Sequence, residues 1–163
     1  MRVSVDLTLF EELIELEEMF KTIKIRSDRA PLGNGGYSQL LGFNRRNGYK
    51  PTVMLQKYPE LYDKLQKISK MICPFPVENF MINKNFETKP HYDNLNKGDC
   101  FVFSVGDYDG GELVIEDEVH DIKYNPIIFD GKTKLHYNLP ITRGTKWSVV
   151  GFNNRAPLAH SLA

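Results

Sequence analysis

From Pro74 onward the chain is cut into short segments, VENFMINKN, CFVFSVG, GELVIE, PIIFD, KLHYN and TKWSVVGF, separated by the turn signals KGD, YDGG, YNP, DGK and ITRG. Each segment is rich in β-branched or aromatic residues and too short for a stable helix, so the pattern predicts about six to eight closely spaced strands. Two helical patterns precede them. From Asp6 to Ile23, Leu9, Leu13, Leu16, Phe20 and Ile23 recur at helical spacing around an acidic face, with Thr8 and Glu11 set as a capping box. From Pro59 to about Ile72, Leu61, Leu65, Ile68 and Ile72 form one stripe behind a first-turn proline. Helices followed by short strands predict an α+β fold in which the N-terminal helices pack on one sheet of a β-sandwich or jelly roll. Between the helices, SDRAPLGNGGYSQLLGFNRRNGYKPT carries enough Gly, Pro and Asn to predict irregular structure for most of its length, yet it is too long for an idle connection. GNGG at Gly33 to Gly36 lacks the G-K-[ST] ending of a phosphate loop and reads as a turn or lid.

The 163 residues suit one domain, divided into a helical part, 1–73, and a β-rich core, 74–153. With 41% hydrophobic and 26% charged residues the composition is that of a globular protein and excludes a disordered tail or a coiled-coil rod. No apolar run is long enough for a membrane span and no signal-peptide pattern is visible, so an intracellular, soluble protein without a membrane partner is expected. Cys73 and Cys100 are too few for a disulfide scaffold and lack C-x-x-C spacing, which fits a reducing compartment. Lys plus Arg and Asp plus Glu both total 21, so no global field draws the protein to nucleic acid. The charge is nevertheless segregated: residues 21–50 hold Lys21, Lys24, Arg26, Arg29, Arg45, Arg46 and Lys50 against Asp28 alone, while 107–121 holds seven acids and no Lys or Arg. A basic stretch within a Gly-rich loop is a candidate grip for an anionic substrate.

His91, Asp93 and His136 are the candidate catalytic and metal-binding residues. In an extended segment residues i and i+2 share a face, so His91-Tyr92-Asp93 can offer an imidazole and a carboxylate to one ion while Tyr92 points away. A strand-borne His136 would complete a two-His, one-carboxylate facial triad, whose three open positions admit a bidentate cosubstrate and O2 on non-haem Fe(II). Ten residues beyond His136, alternation in TKWSVVGF places Lys146 and Ser148 on one face, a cation and a hydroxyl suited to the distal carboxylate of a dicarboxylate.

With H-x-D, a distal His and a basic residue shortly after it, the segment from about Glu78 to Phe152 resembles the Fe(II)/2-oxoglutarate dioxygenases. The resemblance implies a double-stranded β-helix (jelly-roll) core and a reaction using Fe(II), 2-oxoglutarate and O2 to hydroxylate a C–H bond. HYDNLN, read as H-x-D-x-x-N, together with YDGGELVI and LHYNLPITRGTKWSVVGF, is most similar to the TET and base-J oxygenase branch, which oxidises the methyl group of a pyrimidine in DNA or RNA. On that resemblance Asn96 contacts the target base, Lys146 and Ser148 hold the 5-carboxylate, and Asn83, more than Asn85, meets the 1-carboxylate or oxo group. An upstream arginine, Arg26 or Arg29, reaches the cosubstrate or, with Arg45 and Arg46, grips substrate phosphates. A Lys at this position followed by Trp, and the GGE turn, are also similar to prolyl 4-hydroxylases, so a hydroxylase of protein or small-molecule substrates stays open, as does a non-enzymatic binding module. His120 and His160 lack a downstream cation and hydroxyl and read as surface residues.

Overall fold

The computed structural model describes residues 1–27 and 33–156. Helix α1 (Leu7–Phe20) buries the stripe Leu9, Leu13, Leu16 and Phe20. Its cap is Asp6, whose carboxylate accepts the Leu9 N–H at 2.8 Å, and not the Thr8–Glu11 box the sequence predicts. Asp6 satisfies an orphan N–H before Thr8 is reached, so Thr8 is already inside the first turn. The helix also stops short of Ile23, which closes a final turn onto Phe20. Helix α2 (Val53–Lys57), which the sequence pattern does not reveal, is capped by Thr52, and α3 (Pro59–Ile72) follows at the predicted position with Pro59 in its first turn. Lys64 joins α3 to Glu12 and Glu15 of α1, and Lys67 adds a second contact to Glu12. Hydrogen bonds from these lysines hold the Glu12 carboxyl down to about 2.

The main sheet is antiparallel and five-stranded, in the order β11 (Ile127–Phe129), β7 (Cys100–Val105), β14 (Trp147–Phe152), β5 (Asn79–Lys84), β2 (Tyr37–Leu41). A second sheet places β9 (Leu113–Ile115) between β10 (Glu118–His120) and β12 (His136–Asn138). Three two-stranded pairs complete the set: β8 (Tyr108–Gly110) with β13 (Ile141–Gly144), β1 (Gly33–Asn34) with β6 (Glu87–Thr88), and β3 (Phe43–Asn44) with β4 (Lys50–Pro51). Among the described residues ten strands therefore follow Pro74 where six to eight are expected, the surplus being the two- to four-residue pieces β6, β8, β10 and β13. The segment predicted as mostly irregular supplies β2, an edge strand of the main sheet. It pairs with β5 from Tyr37 opposite Lys84 to Leu41 opposite Phe80, so long-range pairing overrides its Gly- and Asn-rich composition.

Alternation gives the main sheet two chemically different faces. Phe80 and Ile82, Phe101 and Phe103, and Trp147 and Val149 join Leu13, Leu16, Phe20, Leu61, Leu65 and Ile68 of the helices in one buried cluster. Trp147 stacks on Phe20 with ring centroids 4.7 Å apart. Each such side chain, fully buried, contributes roughly 1.5–3 kcal/mol, so this face anchors the helices, while on the other face a second buried cluster that includes Val102, Leu113, Ile115 and Ile127 packs beside the cavity. Among the described residues no helix is long and apolar enough to cross a membrane.

Gly151 faces this core between Phe80 and Phe101, and a Cβ there would lie 2.2 Å from the Phe101 ring. Gly151→Ala is expected to overpack the core and cost about 1–3 kcal/mol, read as a lower urea midpoint at unchanged slope.

Candidate metal centre and adjoining cavity

His91, Asp93 and His136 come together although 45 residues separate the first from the last. His91 and His136 form an isolated antiparallel bridge, with reciprocal backbone hydrogen bonds of 3.0 and 3.1 Å, which brings their rings to 4.3 Å. The Asp93 N–H donates to the Gly131 carbonyl at 2.9 Å, pinning the carboxylate beside both rings. His136 Nε2 lies 3.1 Å and His91 Nε2 3.4 Å from the Asp93 oxygens. Each Nδ1 faces a backbone carbonyl two residues upstream, His91 on Lys89 at 2.6 Å and His136 on Lys134 at 2.8 Å. A carbonyl can only accept, so Nδ1 carries a proton, and Nε2 is the atom that each ring turns toward Asp93 and would offer to a bound ion.

One ligand atom from each of the three residues lies within 4.8 Å of the others, and two imidazoles with one carboxylate fit divalent non-haem iron. Burial alone would raise the Asp93 carboxyl, but hydrogen bonds from His136 and His91 outweigh it and hold the group well below the usual carboxylate range. Gly131 makes room for the set: a Cβ there would sit 2.7 Å from Asp93 Oδ2 and 3.4 Å from both His136 Cε1 and Cys100 Sγ. Cys73 and Cys100 are buried, free thiols.

The triad lines a cavity of about 810 Å³. Three registers on the sheet face away from the helices order its floor. Ser38, Asn83, Ser148 and Ser104 lie opposite one another across β2, β5, β14 and β7, forming a polar row in which all four residues are buried. Leu40, Met81, Val150 and Val102 make the next row, and Asn79 and Phe152 the one beyond. The polar row is not self-sufficient. Asn83 Nδ2 donates to Ser148 Oγ at 3.2 Å, but among the described residues Asn83 Oδ1 and Ser38 Oγ, both buried, have no partner. Orphan polar atoms are costly and uncommon in folded proteins, and Asn83 lines a cavity large enough for a ligand.

Beyond the polar row, one residue ahead of β14, lies Lys146, only 2% exposed. Its Nζ donates to the Gly111 carbonyl at 2.6 Å and lies 5.9 Å from the Tyr108 ring, and Tyr108 in turn hydrogen-bonds Ser104. Among the described residues no carboxylate is within ion-pair distance, and burial pulls the ammonium down to about 8 against the weaker raising effects of Glu112 and Glu87. Asn85 Oδ1 accepts the Lys146 N–H at 2.7 Å, and the Asn85 N–H returns to the Lys146 carbonyl at 2.9 Å. Asn85 thus fixes the entry to β14 and does not line the cavity, unlike Asn83.

Among solved structures, the chain superposes on NgTET1, in complex with 5mC DNA, with a TM-score of 0.58 at 17% identity, covering 91% of this chain and 68% of that one. An oxidoreductase of the 2OG-Fe(II) oxygenase family from Burkholderia pseudomallei gives 0.60 at 14%, covering 90% and 80%. The chain has their fold. A prolyl hydroxylase from Trichoplax adhaerens, in complex with a peptide fragment of the hypoxia inducible factor oxygen degradation domain, gives 0.56 at 10%, covering 94% and 82%. No protein-family model matches the sequence, and no curated protein matches it in sequence. The oxygenase fold is shared by structures holding DNA and structures holding peptide, so it does not choose a substrate.

The remaining predicted residues divide by position. Asn96 is buried and lines the cavity, and its Nδ2 has no partner among the described residues. Arg26 and Arg46 are exposed at the cavity wall, whereas Arg45 is exposed but does not line it. Arg29 and His160 lie outside the described residues. His120 is not the surface residue expected: its side chain is only 17% exposed on β10, beside Glu118, and burial lowers its affinity for protons. Gln39, Asn44 and Asn138 also line the cavity and escaped the sequence reading. Asn138 was within reach of it, since i+2 from His136 on a strand shares its face.

Asp93→Ala is expected to abolish binding of Mn(II) or Fe(II), measured by calorimetry, with circular dichroism unchanged because the triad is outside the apolar cluster. Gly131→Ala should weaken metal affinity by about 10–100-fold, the usual effect of disturbing groups that orient ligands.

Proposed function

We propose that the protein is an Fe(II)- and 2-oxoglutarate-dependent dioxygenase that hydroxylates the methyl group of a pyrimidine base in nucleic acid. The observation that carries the chemistry is the pairing of a two-His, one-carboxylate set with a cavity lined by Ser148, two residues along the strand from Lys146, a buried ammonium with no carboxylate within ion-pair distance among the described residues. The two main layers, β11-β7-β14-β5-β2 and β10-β9-β12, are then the halves of a double-stranded β-helix. His91, Asp93 and His136 would hold the ion on one face. Iron bound there, with 2-oxoglutarate and O2, supplies oxidative decarboxylation to succinate and CO2 coupled to hydroxylation of a C–H bond.

This chain's residues orient the partners. A 5-carboxylate on Lys146 and Ser148 supplies the charge that Lys146 lacks, and the orphan oxygen of Asn83 adjoins the same end. The apolar row of Met81 and Val150 separates that end from the mouth. Asn96 would meet the target base, while Arg26 and Arg46, with Arg45 nearby and Arg29 in the same segment, would meet phosphates. A base stacked in a duplex cannot enter such a cavity, so the enzyme takes single strands or extrudes the base. Lys146 followed by Trp147, and the shared fold of the Trichoplax prolyl hydroxylase, favour as second reading a prolyl-hydroxylase-like or small-molecule hydroxylase.

Mass spectrometry of DNA, RNA and peptides incubated with the protein, Fe(II), ascorbate and 2-oxoglutarate tests both readings. Hydroxylation of a pyrimidine methyl supports the first, and hydroxylation of peptide or metabolite alone replaces it with the second. Binding to oligonucleotide should weaken with salt at a log-log slope of roughly −0.7 to −0.9 per phosphate contact.

Lys146→Met is expected to stabilise the ligand-free protein, because replacing a buried charge by an apolar side chain can gain about 1–4 kcal/mol. The same variant should lose the rise in melting temperature that 2-oxoglutarate gives the parent. The folded pKa of Lys146 lies below the unfolded value, so the cost of burying its charge is fully present below about pH 8 and is relieved as pH rises through that value. Conversely, dicarboxylate affinity needs the ammonium and should fall roughly tenfold per pH unit above it. A pH series of thermal shifts with and without 2-oxoglutarate checks both signs.

A further inference from the structure

Three carboxamides on the cavity wall have their polarity fixed by the backbone. Gln39 Oε1 accepts the Arg26 N–H at 3.1 Å, and Asn44 Oδ1 accepts the Arg46 N–H at 3.0 Å. Asn138 Oδ1 accepts from Thr88 twice, from the hydroxyl at 2.8 Å and from the backbone N–H at 3.4 Å. A backbone N–H can only donate, so the atom facing it must be the oxygen, and the usual ambiguity between amide O and N does not arise. Each side chain is left with its NH2 group, and among the described residues none of the three NH2 groups has a hydrogen-bond partner.

All three residues line the same cavity as the metal triad, from three separate parts of the chain. Gln39 comes from β2, Asn44 from the end of β3, and Asn138 from β12, two residues beyond His136. The cations of the described lining are Arg26 and Arg46, whose guanidinium groups carry N–H donors and no acceptor atom, and its only carboxylate is Asp93, already a member of the triad. These three carboxamides and two guanidinium groups therefore turn hydrogen-bond donors to the same cavity.

We propose that Gln39, Asn44 and Asn138 are specificity-determining donors, which select a substrate group bearing hydrogen-bond acceptors and no positive charge. This rests on the reading that the cavity receives the substrate, and it fits a pyrimidine carbonyl with its phosphodiester. A protonated amine or guanidinium, which has donors only, would meet these NH2 and guanidinium groups with like polarity.

Isosteric exchange separates recognition from structure. Gln39→Glu and Asn44→Asp keep the oxygen that receives the backbone N–H and replace only the outward NH2 by a carboxylate oxygen. Gln39→Met removes the backbone partner as well. The full-length, iron-loaded protein is assayed with a single-stranded oligonucleotide containing 5-methylcytosine and thymine, and with a peptide library, by steady-state product formation. Gln39→Glu and Asn44→Asp are expected to raise KM for the substrate by at least about tenfold, since an acceptor then faces an acceptor, while KM for 2-oxoglutarate stays near the parent's, as does the melting temperature of the Asn44→Asp variant, whose side chain is not buried. Gln39→Met should lower the melting temperature in addition. If the two acidic variants keep the parent's substrate KM and only Gln39→Met is impaired, the carboxamides are structural locks and the inference is overturned. If the parent hydroxylates peptide and not the oligonucleotide, the nucleic-acid reading fails on its own. The peptide KM then decides the inference by the same rule: a rise in the acidic variants supports it, and no change overturns it.

Discussion

Strand β14 lies at the centre of the main sheet, hydrogen-bonded to β5 on one side and to β7 on the other, so its six residues must serve two chemistries at once. Trp147, Val149 and Gly151 face the helices and the apolar cluster, and Ser148, Val150 and Phe152 face the cavity. A slip of one residue would exchange these sets, putting Trp147 into the cavity and Ser148 among Phe20, Phe101 and Leu65. The burial that stabilises the fold is thus also what orients the site. Asn85 guards the register where it matters, because its paired hydrogen bonds hold the backbone of Lys146 at the entrance to the strand. Its backbone is in the left-handed region, φ 50°, which asparagine tolerates better than most residues.

The same strand entrance carries a costly feature. An ammonium held by one backbone carbonyl, with no carboxylate within ion-pair distance among the described residues, is far from the minimum-energy way to fill that volume. The orphan atoms of Ser38 and Asn83 add to the cost. Such groups are retained where a ligand completes them, and their alignment in one row with Ser148 and Ser104 gives that ligand a direction. On the function proposed above, its charged end would belong at Lys146 and its other end toward the triad.

Much of this was legible in the sequence because it depends on local geometry. The i, i+2 relation puts His91 and Asp93 on one side, and alternation places Ser148 away from Trp147, whatever the rest of the fold does. The stripes of α1 and α3 are equally local. What escaped was set by partners distant in sequence. Nothing in YSQLL says that it will pair with NFMINK, yet that pairing makes β2 a strand and brings Gln39 to the cavity. The cap of α1 went to Asp6 over Thr8 because two nearby oxygens competed for the same N–H groups, a contest that residue preferences alone do not decide. His120 was read as exposed from its acidic neighbours, but β10 pairs with β9, and Leu113 lies opposite it.

A zero net charge and a polynucleotide substrate are compatible when recognition is short-ranged. At physiological ionic strength exposed charges lose most of their influence beyond about 8 Å, so the acidic run 107–121 matters to a phosphate only if it lies close to the mouth. None of its carboxylates is among the described lining residues, whereas Arg26 and Arg46 are. Their backbone N–H groups are also the ones that fix Gln39 and Asn44, so the residues that would meet a phosphate orient the amides that would meet the base. Affinity and selectivity are then coupled through two backbone hydrogen bonds. A displacement of either arginine segment by a bound anion would turn the adjoining amide as well, which makes the wall sensitive to whether the anion and the ring arrive as one molecule.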